Sequence, residues 1–236
     1  MSSDTTAQTP EQLAEAEEYG RVTLRLALVD MALDFVFLTL FALLLARPLD
    51  VWLQQLPYLA GEGIFTVLLR LSVFLLIYIA LHAAVSFSLS YYRGYVVEHR
   101  FDLSNQTRLR WLTQYLKSIS LATVANLILI GGLYLLIWLT GNLWWTWAAG
   151  AAFVVAVLIG FIAPVLIVPL LVKYEALDDD QLQNELSQLA EGTGLTIEGT
   201  YRLLLSADTK KANAMLAGLG RTRRVLLSDT LLDNFS

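Results

Sequence analysis

The sequence predicts a mainly α membrane protein, with four transmembrane helices followed by the start of an α+β cytoplasmic domain. Three observations carry this. Hydrophobic residues fill 56% of the 236 positions and charged ones only 16%, a richer apolar share than soluble domains carry. The apolar residues gather in four blocks, about 26–46, 64–89, 119–139 and 143–172. Each is long enough, at about 1.5 Å rise per residue, to cross a hydrocarbon core of about 30 Å. After Lys173 the composition turns soluble. The expected organisation is a polar tail (1–23), a four-helix membrane region (24–172) and an incomplete cytoplasmic domain (173–236).

The tail, MSSDTTAQTPEQLAEAEEYG, is polar and acidic. It has none of the parts of a secretory signal and reads as a frayed tail or a short surface helix. The first block carries two acids, Asp30 and Asp34, spaced i, i+4 and therefore on one helix face. A span beginning after Asp34 would keep only Phe35 to Ala46, about half of the ~20 residues needed. The pair is therefore expected inside the membrane, facing a bundle interior or a watery cavity, with Arg21 and Arg25 as candidate neutralising partners. The second block carries His82 among small residues, where a helix–helix hydrogen bond is expected rather than a metal. The fourth block is longer than a span needs, and Pro164 and Pro169 are expected to kink its last third. Aromatics flank the blocks: Trp52 and Tyr58, Tyr91 and Tyr92, then Trp144, Trp145 and Trp147.

Basic residues crowd the connection between the second and third blocks (Arg93, Arg100, Arg108, Arg110, Lys117) and the segment after the fourth (Lys173, Lys210, Lys211, Arg221, Arg223, Arg224). The other connections are nearly free of them. The positive-inside rule then puts both termini in the cytoplasm.

In the soluble part, DDDQLQNELSQLAEG reads as an amphipathic helix with acids in its first turn, leucines at helical spacing and Gly192 as C-cap. TYRLLLS (200–206), NAMLAG and RRVLLS read as strands, the last two joined by a turn at Leu219–Thr222 with Gly220. SDTLL starts a helical turn with Ser228 or Asp229 as N-cap.

The chain has no cysteine, which excludes disulfides, thiolate zinc sites and a cysteine nucleophile. His82 and His99 are its two histidines, so no H-E-x-x-H occurs. Glu98-His99 reads as local pairing rather than an acid–base pair. Arg221, Arg223 and Arg224 lack interleaved aromatics and read as facing water or lipid headgroups rather than nucleic acid.

Two stretches carry a resemblance. EHRFDLSNQT (98–107) fits E-x-x-F-x-F/L-x-x-Q-T through Glu98, Phe101, Leu103, Gln106 and Thr107. NAMLAGLGRTRRVLLSDTLL fits N-A-x-x-x-G-x-x-x-x-x-R-V/I-x-L-x-D-T-L-L through Asn213, Ala214, Gly218, Arg224, Val225, Leu227, Asp229, Thr230, Leu231 and Leu232. Together they resemble the CAAX prenyl protease 1 family of integral-membrane zinc metalloendopeptidases. The resemblance implies a cytoplasmic peptidase domain and a large watery chamber among the membrane helices, where Asp30 and Asp34 would fit. It also implies that Asn213 and Ala214 lie on a substrate-holding edge strand beside the scissile bond. In the family a helix bearing H-E-x-x-H follows the D-T-L-L run, and a distant glutamate completes the zinc set. Neither is in this sequence, so the expectation is an N-terminal membrane and substrate-strand portion that lacks the catalytic residues and binds no zinc by itself. The implied partners are membrane lipids and a peptide or protein substrate: prenylated C-termini or, in a bacterium, membrane proteins under quality control. The lean loops point to a prokaryotic cytoplasmic membrane. The alternative is a truncated or degenerate relative serving as a non-enzymatic scaffold or peptide-binding module. A small transporter would fit the intramembrane acids but leaves the soluble motif unexplained.

Overall fold

The computed structural model describes residues 9–162, 172–177, 179–191, 197–218 and 223–234. Contacts within the chain divide it into two compact units, Met1–Asp102 and Leu103–Ser236.

The first unit is two long helical stretches. Helix α1 (Pro10–Leu40) starts earlier than a tail reading allows, because Thr9 and Gln12 form a reciprocal capping box and Pro10 sits in the first turn. From Pro10 on, the polar segment is thus one continuous helix with most of the first apolar block. At Phe41–Leu45 the helix widens by one residue, with the Ala46 N–H reaching the Phe41 carbonyl, before α2 (Ala46–Gln54). Phe41 is buried at this wider turn, edge-on to Phe74 and Tyr78. Helix α3 (Ile64–Tyr91) continues through a second π-helical stretch, Tyr92–Val97, into the short α4 (Glu98–Arg100). Arg93 and Arg100 therefore lie on helix rather than in a loop. At the far end Tyr19 donates to Glu98 at 2.7 Å and its ring meets Phe101 edge-on at 5.3 Å. Arg100 pairs with Glu18, and His99 Nδ1 lies 2.7 Å from the Tyr95 carbonyl. Tyr19 is thus a partner of Glu98, and the Tyr95 carbonyl a partner of His99.

The second unit opens with α5 (Arg108–Thr140), whose N-cap is the Thr107 hydroxyl. Gly141 ends it at φ 55°, ψ −125°, a conformation in which a Cβ would be strained. After the turn Gly141–Leu143 comes α6 (Trp144–Ile162). Trp147 of α6 lines a small apolar cavity with Gly132 and Leu136 of α5, so α6 turns back along the end of α5. Among the described residues, three helical stretches are suited by length and composition to cross a membrane: Pro10–Gln54, Ile64–Arg100 and Arg108–Phe161, the last bent at Gly141. Pro164 and Pro169, with the kink expected there, lie outside the described residues.

A four-stranded sheet follows, in the order β1-β2-β4-β3. Its strands are β1 (Tyr174–Ala176), β2 (Gly199–Leu203), β3 (Ala214–Ala217) and β4 (Arg224–Ser228). Helix α7 (Asp180–Glu191) precedes β2 and α8 (Asp229–Asn234) follows β4. The Asp179 carboxylate caps α7 by accepting from the Leu182 N–H. Leu203 and Leu226 are buried on one face of the sheet and Leu227 on the other.

Several details depart from the sequence reading. Strand β1 was not foreseen; it is three residues long and too short to show a period, and it exists because β2 supplies an antiparallel partner, Tyr174 opposite Leu203. Strands β2 and β4 pair in parallel, Tyr201 opposite Leu226, whereas β3 and β4 form the expected antiparallel pair. Strand β2 stops at Leu203 and not at Ser206, because the next residues turn to meet a buried carboxylate described below. Arg224 lies against protein: it forms a two-pronged pair with Glu198 at 3.0 Å and its guanidinium lies over the Tyr201 ring. That partner lowers the Glu198 carboxyl below its ordinary value and raises Arg224. Gly192, Leu219–Thr222 and Arg221, expected as a cap, a turn and an exposed cation, lie outside the described residues.

Candidate functional site

The sequence S-D-T at the end of β4 builds a polar cluster inside the second unit. Ser228, Asp229 and Thr230 are 0%, 3% and 5% exposed, and buried polar groups of this kind must be hydrogen-bonded. Asp229 accepts from the backbone N–H groups of Leu205, Ser206 and Thr230 at 2.8–2.9 Å and from the Ser206 hydroxyl at 2.7 Å. Burial pushes its carboxyl up. The Ser206 hydroxyl and the three backbone donors outweigh that and hold it below its ordinary value. Ser228 caps α8, its hydroxyl accepting from the Leu231 N–H at 3.1 Å. The same oxygen accepts from the Asn213 N–H at 2.8 Å. Thr230 donates to the Lys211 carbonyl at 2.7 Å. The cluster therefore fixes both the turn after β2 and the entry to β3.

That turn also docks the other motif. Ser104 bridges to Thr209 in antiparallel fashion. The Leu103 carbonyl accepts from the Lys210 N–H and the Thr209 hydroxyl, and Asn105 donates to the Asp208 and Ser206 carbonyls. Arg110 pairs with Asp208, and Gln114 donates to it at 3.0 Å. Gln106 donates to Gln114 at 2.6 Å. Residues 103–107 and the D-T-L-L run, about 120 positions apart in sequence, thus meet at one turn, Ser206–Thr209.

Strand β3 lies at the edge of the sheet, and among the described residues no strand pairs with its outer side. Asn213 stands just before it, exchanging backbone contacts with Ser228: the Ser228 N–H donates to its carbonyl at 2.8 Å. Ala214 is opposite Leu227 and Leu216 opposite Val225. In an antiparallel ladder bonded and non-bonded pairs alternate. Since Asn213 faces Ser228 as a bonded pair, the N–H and C=O groups of Ala214 and Leu216 point outward. The side chains of Ala214, Met215 and Leu216 are exposed, and Gly218 ends the strand at φ 98°, which glycine tolerates. This arrangement can take an added extended segment by backbone hydrogen bonding.

In the first unit Asp30 and Asp34 are paired across helices. His82 Nε2 lies 2.8 Å from Asp34 Oδ1, and Arg93 donates to Asp30 at 3.4 Å. The partners are on α3 and its continuation rather than the Arg21 and Arg25 of the same helix, because both acids share the face that α1 turns toward α3. His82 is held edge-on to Phe37 and stacked near Tyr78.

Among the described residues no group of three or more His, Cys, Asp or Glu is placed to hold a metal ion. Those residues do not make up the three-ligand set that a catalytic zinc needs.

A sequence profile described as "CAAX prenyl protease N-terminal, five membrane helices" matches residues 5–173. The chain belongs to the CAAX prenyl protease family. It is an integral membrane protein. The CAAX prenyl protease 1 homolog of Taenia solium is 32% identical over 146 residues, covering 62% of this chain and 31% of the relative. CAAX prenyl protease 1 of Saccharomyces cerevisiae is 32% identical over 165 residues, 66% and 35% of the two chains. The uncharacterized metalloprotease YhfN of Bacillus subtilis is 25% identical over 226 residues, 95% and 51%. The chain thus spans between a third and a half of these relatives. The crystal structure of S. mikatae Ste24p shares the fold, with a TM-score of 0.79 and 22% identity over 98% of this chain and 56% of that one.

The family motifs point to Asn213 and Ala214 and give no reason to single out Ser206 or Asp208. Ser228, one of the two N-cap candidates in the sequence, does cap α8. Ser206 and Asp208 carry no such signal, because their partners are distant in sequence.

Proposed function

We infer that this chain is the membrane and substrate-strand portion of a zinc metalloendopeptidase. It places a peptide for cleavage, and the peptide-bond chemistry belongs to groups outside the described residues. The observation that carries this is the β3 edge, anchored by Asn213 and Ser228 and presenting the outward backbone groups of Ala214 and Leu216. An extended peptide laid along that edge would be held in register by main-chain bonds, with Met215 and Leu216, 39% and 52% exposed, offering apolar contact. The substrates proposed are prenylated C-terminal peptides or, in a prokaryotic membrane, membrane proteins under quality control. The membrane region is read as four spans, with the α5–α6 stretch crossing twice and both ends of the chain cytoplasmic, on the strength of the basic-residue asymmetry. Asp30 and Asp34, paired with Arg93 and His82, are read as facing a watery interior.

The test uses proline as a backbone probe. Leu216→Pro removes an outward N–H and no ladder bond, whereas Met215→Pro removes a bond to β4. Binding of a fluorescent extended peptide to the purified chain should fall about tenfold or more in Leu216→Pro and stay near wild type in Leu216→Ala. Equal binding by Leu216→Pro and wild type, with both folded, would sink the edge-strand reading.

A further inference from the structure

A cavity of about 730 Å³ opens beside the first three turns of α5, within the second unit. Its volume is that of a small-ligand site. Its lining includes Arg110, Lys117 and Lys173, with Asp208 as the carboxylate among the lining residues. Asp208 is already engaged by Arg110 and Gln114, so the lysine charges are left for something else. The Thr113 hydroxyl is turned to the Arg110 carbonyl, and Gln114, which gives one amide hydrogen to Asp208, has a second for another acceptor. The cavity also abuts the N-terminal end of a 33-residue helix, where the backbone dipole favours negative charge.

Its depth is set by the sequence of α5. The first turns, RLRWLTQYLKS, are polar, and the mainly apolar stretch without charged residues begins after Lys117. A helix that enters a membrane there holds residues 110–117 at the level of the lipid phosphates, where lysines extend toward the headgroups. We propose that this cavity is a phosphate-type anion site, filled from the membrane by the headgroup of an anionic phospholipid. Lys117 and Lys173 supply the charge and the N–H donors, and the second amide hydrogen of Gln114 bonds a remaining oxygen. Arg110 is not free for this role, because it holds Asp208 and with it the Ser206–Thr209 turn.

The experiment measures lipid retained by the purified chain in mixed phosphatidylcholine and phosphatidylglycerol nanodiscs, by native mass spectrometry after detergent release. A parallel arm titrates inorganic phosphate and follows it by phosphorus NMR. Wild type should retain phosphatidylglycerol in preference to phosphatidylcholine. The double variant Lys117→Gln/Lys173→Gln should lose that preference roughly tenfold or more, each lysine near an anionic surface being worth about fivefold. Arg108→Gln, which removes a cation of the same helix that does not line the cavity, should keep it. Inorganic phosphate that binds wild type and not the double variant, without any lipid preference, would keep the anion site and make its source soluble. Equal behaviour of wild type and double variant toward both probes overturns the proposal, as does an equal loss in Arg108→Gln, which would mean that surface charge alone recruits the lipid.

Discussion

Replacing Asp229 with asparagine should open the turn after β2 while leaving the helices alone. The carboxylate is 3% exposed and takes four donors: the Leu205, Ser206 and Thr230 N–H groups and the Ser206 hydroxyl. An amide can keep its oxygen on the three backbone donors nearest Oδ1. Its NH₂ must then replace Oδ2, which lies 3.2 Å from the Ser206 N–H and 2.7 Å from the Ser206 hydroxyl. The hydroxyl can rotate to accept, but the N–H meets another donor. Hydrogen bonds to a charged group contribute about 1.5–3 kcal/mol against about 0.5–1.5 for neutral ones. Losing that assistance and facing one donor with another should cost about 2–3 kcal/mol locally. Since 1.4 kcal/mol is about tenfold, amide hydrogen exchange at Ser206 should quicken roughly 30- to 150-fold, as read by mass spectrometry of a peptide covering 204–210. Exchange in α3 should not change. Asp233→Asn is the control, since Asp233 is an exposed partner of Arg202 and such pairs contribute below about 1 kcal/mol. If Asp229→Asn speeds Ser206 less than threefold, the cluster does not hold the turn and the reasoning fails.

The remaining predictions concern the same unit and the membrane topology. Asp229 has a lowered carboxyl value in the fold, so its stabilisation is complete above the unfolded carboxylate pKa of about 3.9 and is lost as pH falls through the lower folded value. Urea midpoints of the sheet should therefore drop in strong acid in wild type and much less in Asp229→Asn. Asn213→Ala should weaken peptide capture and, in an active metal-loaded parent, lower turnover while leaving metal content and melting within about 1 kcal/mol of wild type; unchanged turnover would make it an ordinary strand-end residue. A cysteine placed at Gln106 should be labelled from the cytoplasmic side alone, and labelling solely from outside would reverse the proposed topology. This chain purified by itself should hold no stoichiometric zinc, and one tightly bound ion per chain with chelator-sensitive peptide cleavage would refute that expectation.

The membrane character of this protein was legible in the sequence, because hydrophobicity over a span of about twenty residues is a local property. The apolar blocks at 64–89 and 119–139 fall inside α3 and α5. The same holds for α7 and for the hairpin of β3 and β4, whose signals lie within each segment and its neighbour. The motifs single out Asn213, which the resemblance puts on an edge strand, and Asp229, a candidate N-cap, but no local signal shows that Asp229 holds the turn after β2. Pairing decided the rest. Strand β1 exists because β2 faces it, and β2 ends at Leu203 because a carboxylate 26 positions further on, Asp229, draws its next residues into a turn. Asp30 and Asp34 are readable as a costly pair in a membrane helix, but their partners, Arg93 and His82, lie 63 and 48 positions away. The sequence could name only the cations nearest in the chain, Arg21 and Arg25. A charge or a strand edge advertises a need for a partner, and only the folded chain, by bringing distant segments within about 3 Å, settles which group meets it.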